Sequence, residues 1–276
     1  MLRVSAVRFY TLLLGWFLAV SQLQANPILQ GSLQQGTLLL GTLEPGATAF
    51  YRGQALPLTA EGQFLLGLGR DAPDSLELRI VDAEGLQTVQ KFGVAQRDYR
   101  IQRVNGVPSK TVNPAAADLA RIRSDSALVK AARREITAAE DFLDGFQIPL
   151  QGPITGVYGS QRVYNGVPKN PHYGVDYAAP TGTEVLSPAA GIVRLAHPDM
   201  FYSGGTLIID HGHGLSSSFL HLSEILVAEG VRVGRGQPIA KVGATGRATG
   251  PHLDWRMNWH NERIDPQLVL QTLPAQ

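Results

Sequence analysis

Short apolar and alternating runs, cut by turn residues, dominate the chain from residue 26 to about residue 107. Turn signals such as Glu44-Pro45-Gly46 separate runs that recur at intervals of about ten residues, a spacing typical of antiparallel strands in a sandwich or meander. The runs cover residues 36–43, 47–51, 63–67, 75–81 and 86–92. We therefore predict a β-sandwich-like accessory domain at residues 26–107.

A helical pattern occupies the middle of the chain. Asn113 is a good N-cap, Pro114 suits the first helical position, and Gly145 marks a stop. The apolar residues at helical intervals are Leu119, Ile122, Val129, Ala132, Ile136 and Leu143. We predict a linker segment at residues 113–145 that forms one amphipathic helix from about 114 to 143. We expect it to pack on one or both flanking domains rather than to bind a partner.

Short strands return from residue 148 onward and predict a second, compact all-β domain at residues 148–270. Glycine and proline punctuate this region heavily, which indicates long loops between the strands. The predicted strands are 154–158, 175–178, 184–187, 191–196, 206–210, 215–220, 231–233, 239–242 and 252–257. The expected fold class is thus mainly β, with a sandwich, a long linker helix and a second β domain.

The first 25 residues have the order of an export signal. Arg3 and Arg8 precede an apolar run from Tyr10 to Val20, and polar residues then lead to Ala25. A run of this length is too short to span a bilayer as a mature helix. We predict a signal peptide at residues 1–25, cleaved near Ala25, and a periplasmic protein with no membrane span after cleavage. An uncleaved membrane anchor is the alternative.

Composition narrows the classes of function. Without residues 1–25, the chain has 22 basic and 23 acidic side chains, a net charge of −1, and no block of like charges. Nucleic-acid binders neutralise many phosphates with basic side chains, so this balance argues against a nucleic-acid partner. The chain has no cysteine, which excludes disulfides, thiol nucleophiles and cysteine-ligated metals.

All seven histidines lie in the second β domain, and three local groups stand out. His172 precedes Asp176 at the start of a predicted strand, and His221 lies at the end of another. His252 and Asp254 are two residues apart on a strand, so they point to one face of the sheet. One imidazole and two carboxylates make a plausible zinc site with a fourth position open for water. By spacing alone, ordinary structural histidines are an equally good interpretation.

These groups, in this order, resemble the lysostaphin-type, or LytM-domain, zinc metallopeptidases, which cut peptide bonds in bacterial peptidoglycan. The resemblance extends from residue 152 to about residue 257 and includes His172-Tyr-Gly-Val-Asp176. Its further blocks are residues 177–183, 191–193, 209–212, 219–223 and 243–253. It implies that His172 and Asp176 are the first two zinc ligands. It also implies that His221 and His252 are catalytic histidines that do not bind the metal.

Asp254 departs from the family pattern, which ends in His-x-His and uses the second histidine as the third zinc ligand. In one interpretation Asp254 keeps the ligand role, since a carboxylate is an ordinary zinc ligand, and the chain is an exported zinc metalloendopeptidase. In the other, the chain is a non-catalytic LytM-domain regulator that activates a cell-wall amidase or binds the wall. We favour the enzyme because the other four site residues are present. This expectation requires that the Asp254 carboxylate face His172 and Asp176 and that no arginine engage it.

The enzyme interpretation implies metal-assisted hydrolysis of stem or cross-link peptides of peptidoglycan. Zn²⁺ would be held by the three predicted ligands, while one catalytic histidine accepts the proton of water and the other bonds the oxyanion. The residues leave open which histidine does which. With Asp254 as a second anionic ligand, we expect about zero net site charge and a less acidic bound water than in a site with one carboxylate. We expect Arg162 and Tyr164 to line the substrate cleft.

Overall fold

The computed structural model describes residues 27–106 and 114–275, so the predicted signal peptide and Asn113 lie outside the described residues. The helices are α1 (Asp118–Ala132) and α2 (Pro266–Thr272), with a 3-10 turn at Asp141–Asp144. The strands of the first half are β1 (Ile28–Gln30), β2 (Leu38–Thr42), β3 (Thr48–Tyr51), β4 (Gln54–Ala55), β5 (Gln63–Gly67), β6 (Ser75–Val81), β7 (Gln87–Gly93) and β8 (Ile101–Val104). The strands of the second half are β9 (Ile154–Gly156), β10 (Gln161–Tyr164), β11 (Val167–Pro168), β12 (Gly174–Ala178), β13 (Glu184–Leu186), β14 (Gly191–Met200), β15 (Gly204–Gly212), β16 (Leu215–Leu222), β17 (Glu224–Ile225), β18 (Arg232–Val233), β19 (Pro238–Lys241), β20 (His252–Trp259) and β21 (Glu262–Ile264). Neither described helix combines the length and apolar character that a bilayer crossing requires.

Two antiparallel sheets form the N-terminal unit, in the strand orders β1-β2-β5 and β4-β3-β6-β7. Strand β6 shows how the sequence specifies this arrangement, because Leu76, Leu78 and Ile80 alternate with polar residues and are buried. They belong to the same core cluster as Leu38 and Phe64 of the other sheet. The predicted sandwich-like unit is confirmed, with strand boundaries within about two residues of those predicted.

An eight-stranded sheet is the centre of the C-terminal unit, in the order β18-β14-β15-β16-β20-β12-β9 with β21 paired to β20. One face of this sheet is apolar and carries Phe219 and Trp255, both fully buried. Side chains alternate between the two faces along each strand, and those on the opposite face are mostly polar. On that face Asp176 of β12 pairs with Asp254 of β20, and Ser218 of β16 lies one strand further along.

The helix between the two units is shorter than predicted. It ends at Ala132 rather than near residue 143 because tertiary contacts draw the following segment out of helical form. Thr137 Oγ1 donates to Asp210 Oδ2 at 2.8 Å, and the Thr137 carbonyl accepts from the His213 backbone N–H. Val129 and Ala132 pack against a small apolar cluster on β14 and β15, whereas Ile136 is exposed. The amphipathic prediction therefore holds only for the C-terminal half of α1.

The two units share one hydrophobic core and several direct contacts. Strand β8, which follows the sandwich, pairs in parallel with β10 of the C-terminal unit. Gly67 lies against Trp259, leaving no space for a side chain there, and Arg97 forms an ion pair with Asp265 at 3.0 Å. The N-terminal unit is therefore packed against the same sheet that carries the candidate site.

Candidate active site

Strands β12 and β20 bring the three predicted metal-ligating residues together. Asp176 and Asp254 are cross-strand partners, and His172 lies in the segment that enters β12. His172 Nε2 is 3.0 Å from Asp176 Oδ1, and His172 Nδ1 is 3.9 Å from Asp254 Oδ2. One donor atom from each residue lies within 4.8 Å of the others, and all three residues are buried. The Asp254 carboxylate thus faces the His172–Asp176 pair.

Unpartnered polar atoms at this point fit a bound cation. His172 Nδ1 is buried with no hydrogen-bond partner among the described residues, and His172 Nε2 and Asp176 Oδ1 have only each other, 3.0 Å apart. Such atoms cost free energy unless a ligand, ion or water satisfies them. An imidazole and a carboxylate are ordinary zinc ligands. The donor set therefore fits a divalent cation, with Asp254 offering the third ligand atom.

Asp254 is also engaged by an arginine. Arg256 Nε donates to Asp254 Oδ1 at 2.9 Å, and Arg256 Nη2 donates to Oδ2 at 2.6 Å. The two residues are two positions apart on β20, so their side chains lie on the same face. Asp254 therefore meets the first of the two conditions set for it and not the second. A cation would have to compete with Arg256 for this carboxylate, so Asp254 by itself no longer supports the enzyme interpretation.

Asp176 has an arginine partner as well, since Arg162 Nη2 lies 2.5 Å from Asp176 Oδ2. Burial and the charge of Asp254 act to raise the pKa of Asp176, but His172 and Arg162 outweigh them and lower it. Burial likewise acts to raise the pKa of Asp254, and Arg256 holds it well below its ordinary value. Both carboxylates are therefore ionised, and each is neutralised by a guanidinium.

The two arginines correct the charge expected for this site. We expected a net charge of about zero with Zn²⁺ bound, and that sum included only the ion and the carboxylates of Asp176 and Asp254. With Arg162 and Arg256 included, the metal-free site is neutral and a divalent ion would leave it at about +2, counting formal charges. Such a site should bind the ion more weakly and acidify its water more than predicted.

His221 and His252 lie side by side next to these carboxylates, with ring centroids 4.8 Å apart. His221 Nδ1 donates to the Thr245 carbonyl and His252 Nδ1 to the Gly250 carbonyl, each at 2.8 Å. A carbonyl can only accept, so in the neutral rings Nδ1 carries the proton and Nε2 has a free lone pair.

The environment of His221 is that of a neutral base. Burial lowers its pKa to about 4, the nearby His252 adds to the shift, and Asp254 opposes it. Its backbone has a φ of 65°, a left-handed conformation that is uncommon outside glycine and is found often at functional sites. At neutral pH its Nε2 is therefore available to accept a proton.

Two further predicted residues reach the site, and one important residue was missed. Arg162 and Tyr164 line the cleft as expected, and Arg162 Nη1 donates to the Tyr164 hydroxyl at 2.8 Å. Arg256 was not predicted, although its position two residues after Asp254 places it on the same face of the strand. The two-residue spacing between Asp254 and Arg256 could therefore have predicted their contact.

The order of His172, Asp176, His221 and His252 in this all-β domain is the one that resembles the lysostaphin-type metallopeptidases, and Asp254 is the departure from it. Residues 170–266 match the model of peptidase family M23. A crystal structure from Pseudomonas aeruginosa, described as a candidate peptidase M23, is 30% identical and covers 88% of this chain and 97% of its own, with a TM-score of 0.69. The chain belongs to peptidase family M23.

Two curated relatives are more similar in sequence, over shorter stretches of this chain. Peptidoglycan DD-endopeptidase ShyB of Vibrio cholerae is 40% identical over 139 residues, which are 50% of this chain and 28% of ShyB. Peptidoglycan DD-endopeptidase ShyA of the same organism is 45% identical over 89 residues, 32% of this chain and 20% of ShyA. The chain thus spans less than a third of the length of either relative.

Proposed function

We propose that this chain is a metal-dependent endopeptidase that hydrolyses peptide bonds in the stem or cross-link peptides of peptidoglycan. The observation that carries the proposal is the convergence of one ligand atom each from His172, Asp176 and Asp254 within 4.8 Å of one another, beside His221 and His252. The relatives named peptidoglycan DD-endopeptidases support this substrate class. The proposed location is the cell envelope, reached through the predicted signal peptide into the periplasm.

Each site residue has a role in this proposal. His172, Asp176 and Asp254 would hold Zn²⁺, which when bound supplies a polarised scissile carbonyl and an acidified water. His221 accepts a proton at Nε2, because it is neutral at pH 7 and its Nδ1 proton is tied to a backbone carbonyl. His252, once protonated at Nε2, donates to the tetrahedral oxyanion.

Metal content and hydrolysis of sacculi test the proposal together. The purified chain should bind about one zinc per molecule and release soluble muropeptides from isolated sacculi. Replacing the base (His221→Ala) should remove hydrolysis while leaving zinc bound, whereas Asp176→Asn should remove both. If the zinc-loaded wild type leaves sacculi intact, the endopeptidase proposal fails.

Arg162 and Arg256 favour a second candidate, a non-catalytic regulator that binds the wall or activates a cell-wall amidase. Their ion pairs with Asp176 and Asp254 leave the metal-free site with no net charge, so the fold does not require a metal there. A regulator would bind sacculi or stimulate an amidase equally well after zinc removal with EDTA. It would also release no muropeptides by itself.

A further inference from the structure

A cavity of about 880 Å³ runs from His221 along the polar face of the central sheet. Its floor includes Ser218 and Asn258, which face it because side chains alternate along β16 and β20. Helix α1 forms one wall, and Arg133, just past the end of α1, reaches the floor, where its Nη2 donates to Ser218 Oγ at 2.7 Å. The helix that was predicted as a linker therefore completes a cleft next to the candidate active site.

The lining of this cavity is strongly basic. Lys130, Arg133, Arg256 and Arg263 all contribute to it. Of the described lining residues, Asp125 alone carries a carboxylate, and Asp125 Oδ2 accepts the Phe201 backbone N–H. The cavity is thus lined by an excess of positive charge.

Arg133 and Arg263 have no carboxylate within ion-pair distance in the described part of the chain. Arg263 Nη1 reaches only the side-chain oxygen of Asn258, at 3.3 Å. Arg133 Nε is buried and without a hydrogen-bond partner among the described residues. Burial first, and then the charges of neighbouring arginines, lower the pKa of Arg133 to about 9 and that of Arg263 to about 10.

Guanidinium groups that lie close together without carboxylate partners repel one another, and an anion bound between them would remove this cost. Planar guanidinium groups match carboxylates with paired hydrogen bonds. The arrangement therefore indicates a receptor for an anionic group that enters beside His221.

We infer that this cavity binds a peptide through its free carboxylates, with Arg133 and Arg263 as the recognition residues. The inference rests on the proposed function, because a peptide at the candidate active site is what places an anionic segment at the mouth of the cavity. Arg133 lies outside the segment matched by the family model, residues 170–266. The specificity is thus supplied in part by the linker region of this chain.

The test is a binding measurement by calorimetry on the full chain in EDTA, which prevents hydrolysis. The probe is the tripeptide L-alanyl-γ-D-glutamyl-L-lysine with both carboxylates free, compared with the same peptide with both carboxylates amidated. We expect binding of the free form, at least tenfold weaker binding after Arg133→Gln or Arg263→Gln, and no measurable binding of the amide. Arg134→Gln is the matched control, because Arg134 is the exposed neighbour of Arg133.

The thermal unfolding midpoint of each variant shows whether weaker binding comes from misfolding. Since Arg133→Gln removes an uncompensated buried charge, its midpoint without ligand should equal or exceed that of the wild type. A purely structural role of Arg133 through Ser218 would instead lower the midpoint. Equal affinity for the amidated peptide, or unchanged affinity of both arginine variants, overturns the inference, and so does tighter binding of inorganic phosphate than of the peptide. Intact sacculi alongside carboxylate-dependent binding would overturn only the proposed function.

Discussion

Arg256 determines what Asp254 can do in this site. Replacing it (Arg256→Met) keeps the side-chain bulk but leaves the Asp254 carboxylate buried and unpaired. We expect the metal-free chain to lose about 3–5 kcal/mol of unfolding free energy, the usual cost of breaking a buried pair. Zn²⁺ should then stabilise the variant more than the wild type, because the competing guanidinium is gone. Urea unfolding with EDTA and with zinc measures both effects.

A double substitution provides the control for this prediction. Asp254→His alone restores the family's His-x-His motif but leaves the half-buried Arg256 without its carboxylate, so it should also be destabilised, though less than Arg256→Met because Arg256 keeps some contact with water. Combining Asp254→His with Arg256→Met should recover stability and bind zinc more tightly than the wild type. Identical zinc stabilisation of all four proteins would show that Arg256 does not oppose the metal.

The lowered pKa of His221 predicts a specific loss of stability in acid. Its folded pKa is about 4, below the ordinary unfolded value of about 6.5, so the unfolded state binds more protons between these values. Stability from this group is therefore present above pH 6.5 and declines as pH falls toward 4, by roughly 3 kcal/mol in all. Urea unfolding in EDTA at pH 7.5 and pH 4.5 should show a smaller decline for His221→Asn than for the wild type. An equal decline contradicts the assignment.

Strands were predictable here because their signals are local. Alternation between turn residues located β2, β3, β5, β6 and β7 closely, and it located the strands that carry Asp176 and Asp254. Strands β8 and β10 were missed because they are stabilised by each other across a long stretch of chain. The length of α1 was overestimated because contacts of Thr137, which are tertiary, end the helical pattern.

In the site, too, local sequence predicts some features and contacts between distant parts of the chain determine others. Motif order predicted five residues that the structure brings together, and each of them follows from its own short stretch of sequence. The neutralising contact of Arg162 with Asp176 depends on the fold of a separate hairpin, and Arg133 arrives from a different region of the chain. These contacts, which set the charge of the site and the basic lining of the cavity, could not be predicted from spacing.

Helix α1 should be much less protected from hydrogen exchange than the central strands β15 and β16. None of its residues is fully buried, whereas every residue of β15 and β16 is. Local opening is easiest where few apolar contacts must be broken. Hydrogen exchange followed by mass spectrometry should show α1 amides exchanging well before those of β15 and β16. Exchange of α1 together with these strands would mean that the helix opens only with global unfolding.

The contact at Gly67 tests whether the two units form one cooperative molecule. A Cβ at Gly67 would come within 2.7 Å of Trp259 Cβ, whereas a Cβ at Gly93 would meet nothing within 4 Å. We expect Gly67→Ala to cost about 1–3 kcal/mol through overpacking and Gly93→Ala to cost little. Because the units share a core, far-UV circular dichroism and tryptophan fluorescence should report one coincident transition in each variant. Two separate transitions would show that the units unfold independently.

The parallel pairing of β8 with β10 has a mechanical consequence. Strand β10 carries Arg162, whose guanidinium holds Asp176, and β8 is the continuation of the sandwich. A displacement of β8 would therefore reach one carboxylate of the site through the backbone hydrogen bonds between β8 and β10. Pulling β8 away would withdraw a positive charge from Asp176 and so make the site more receptive to a cation.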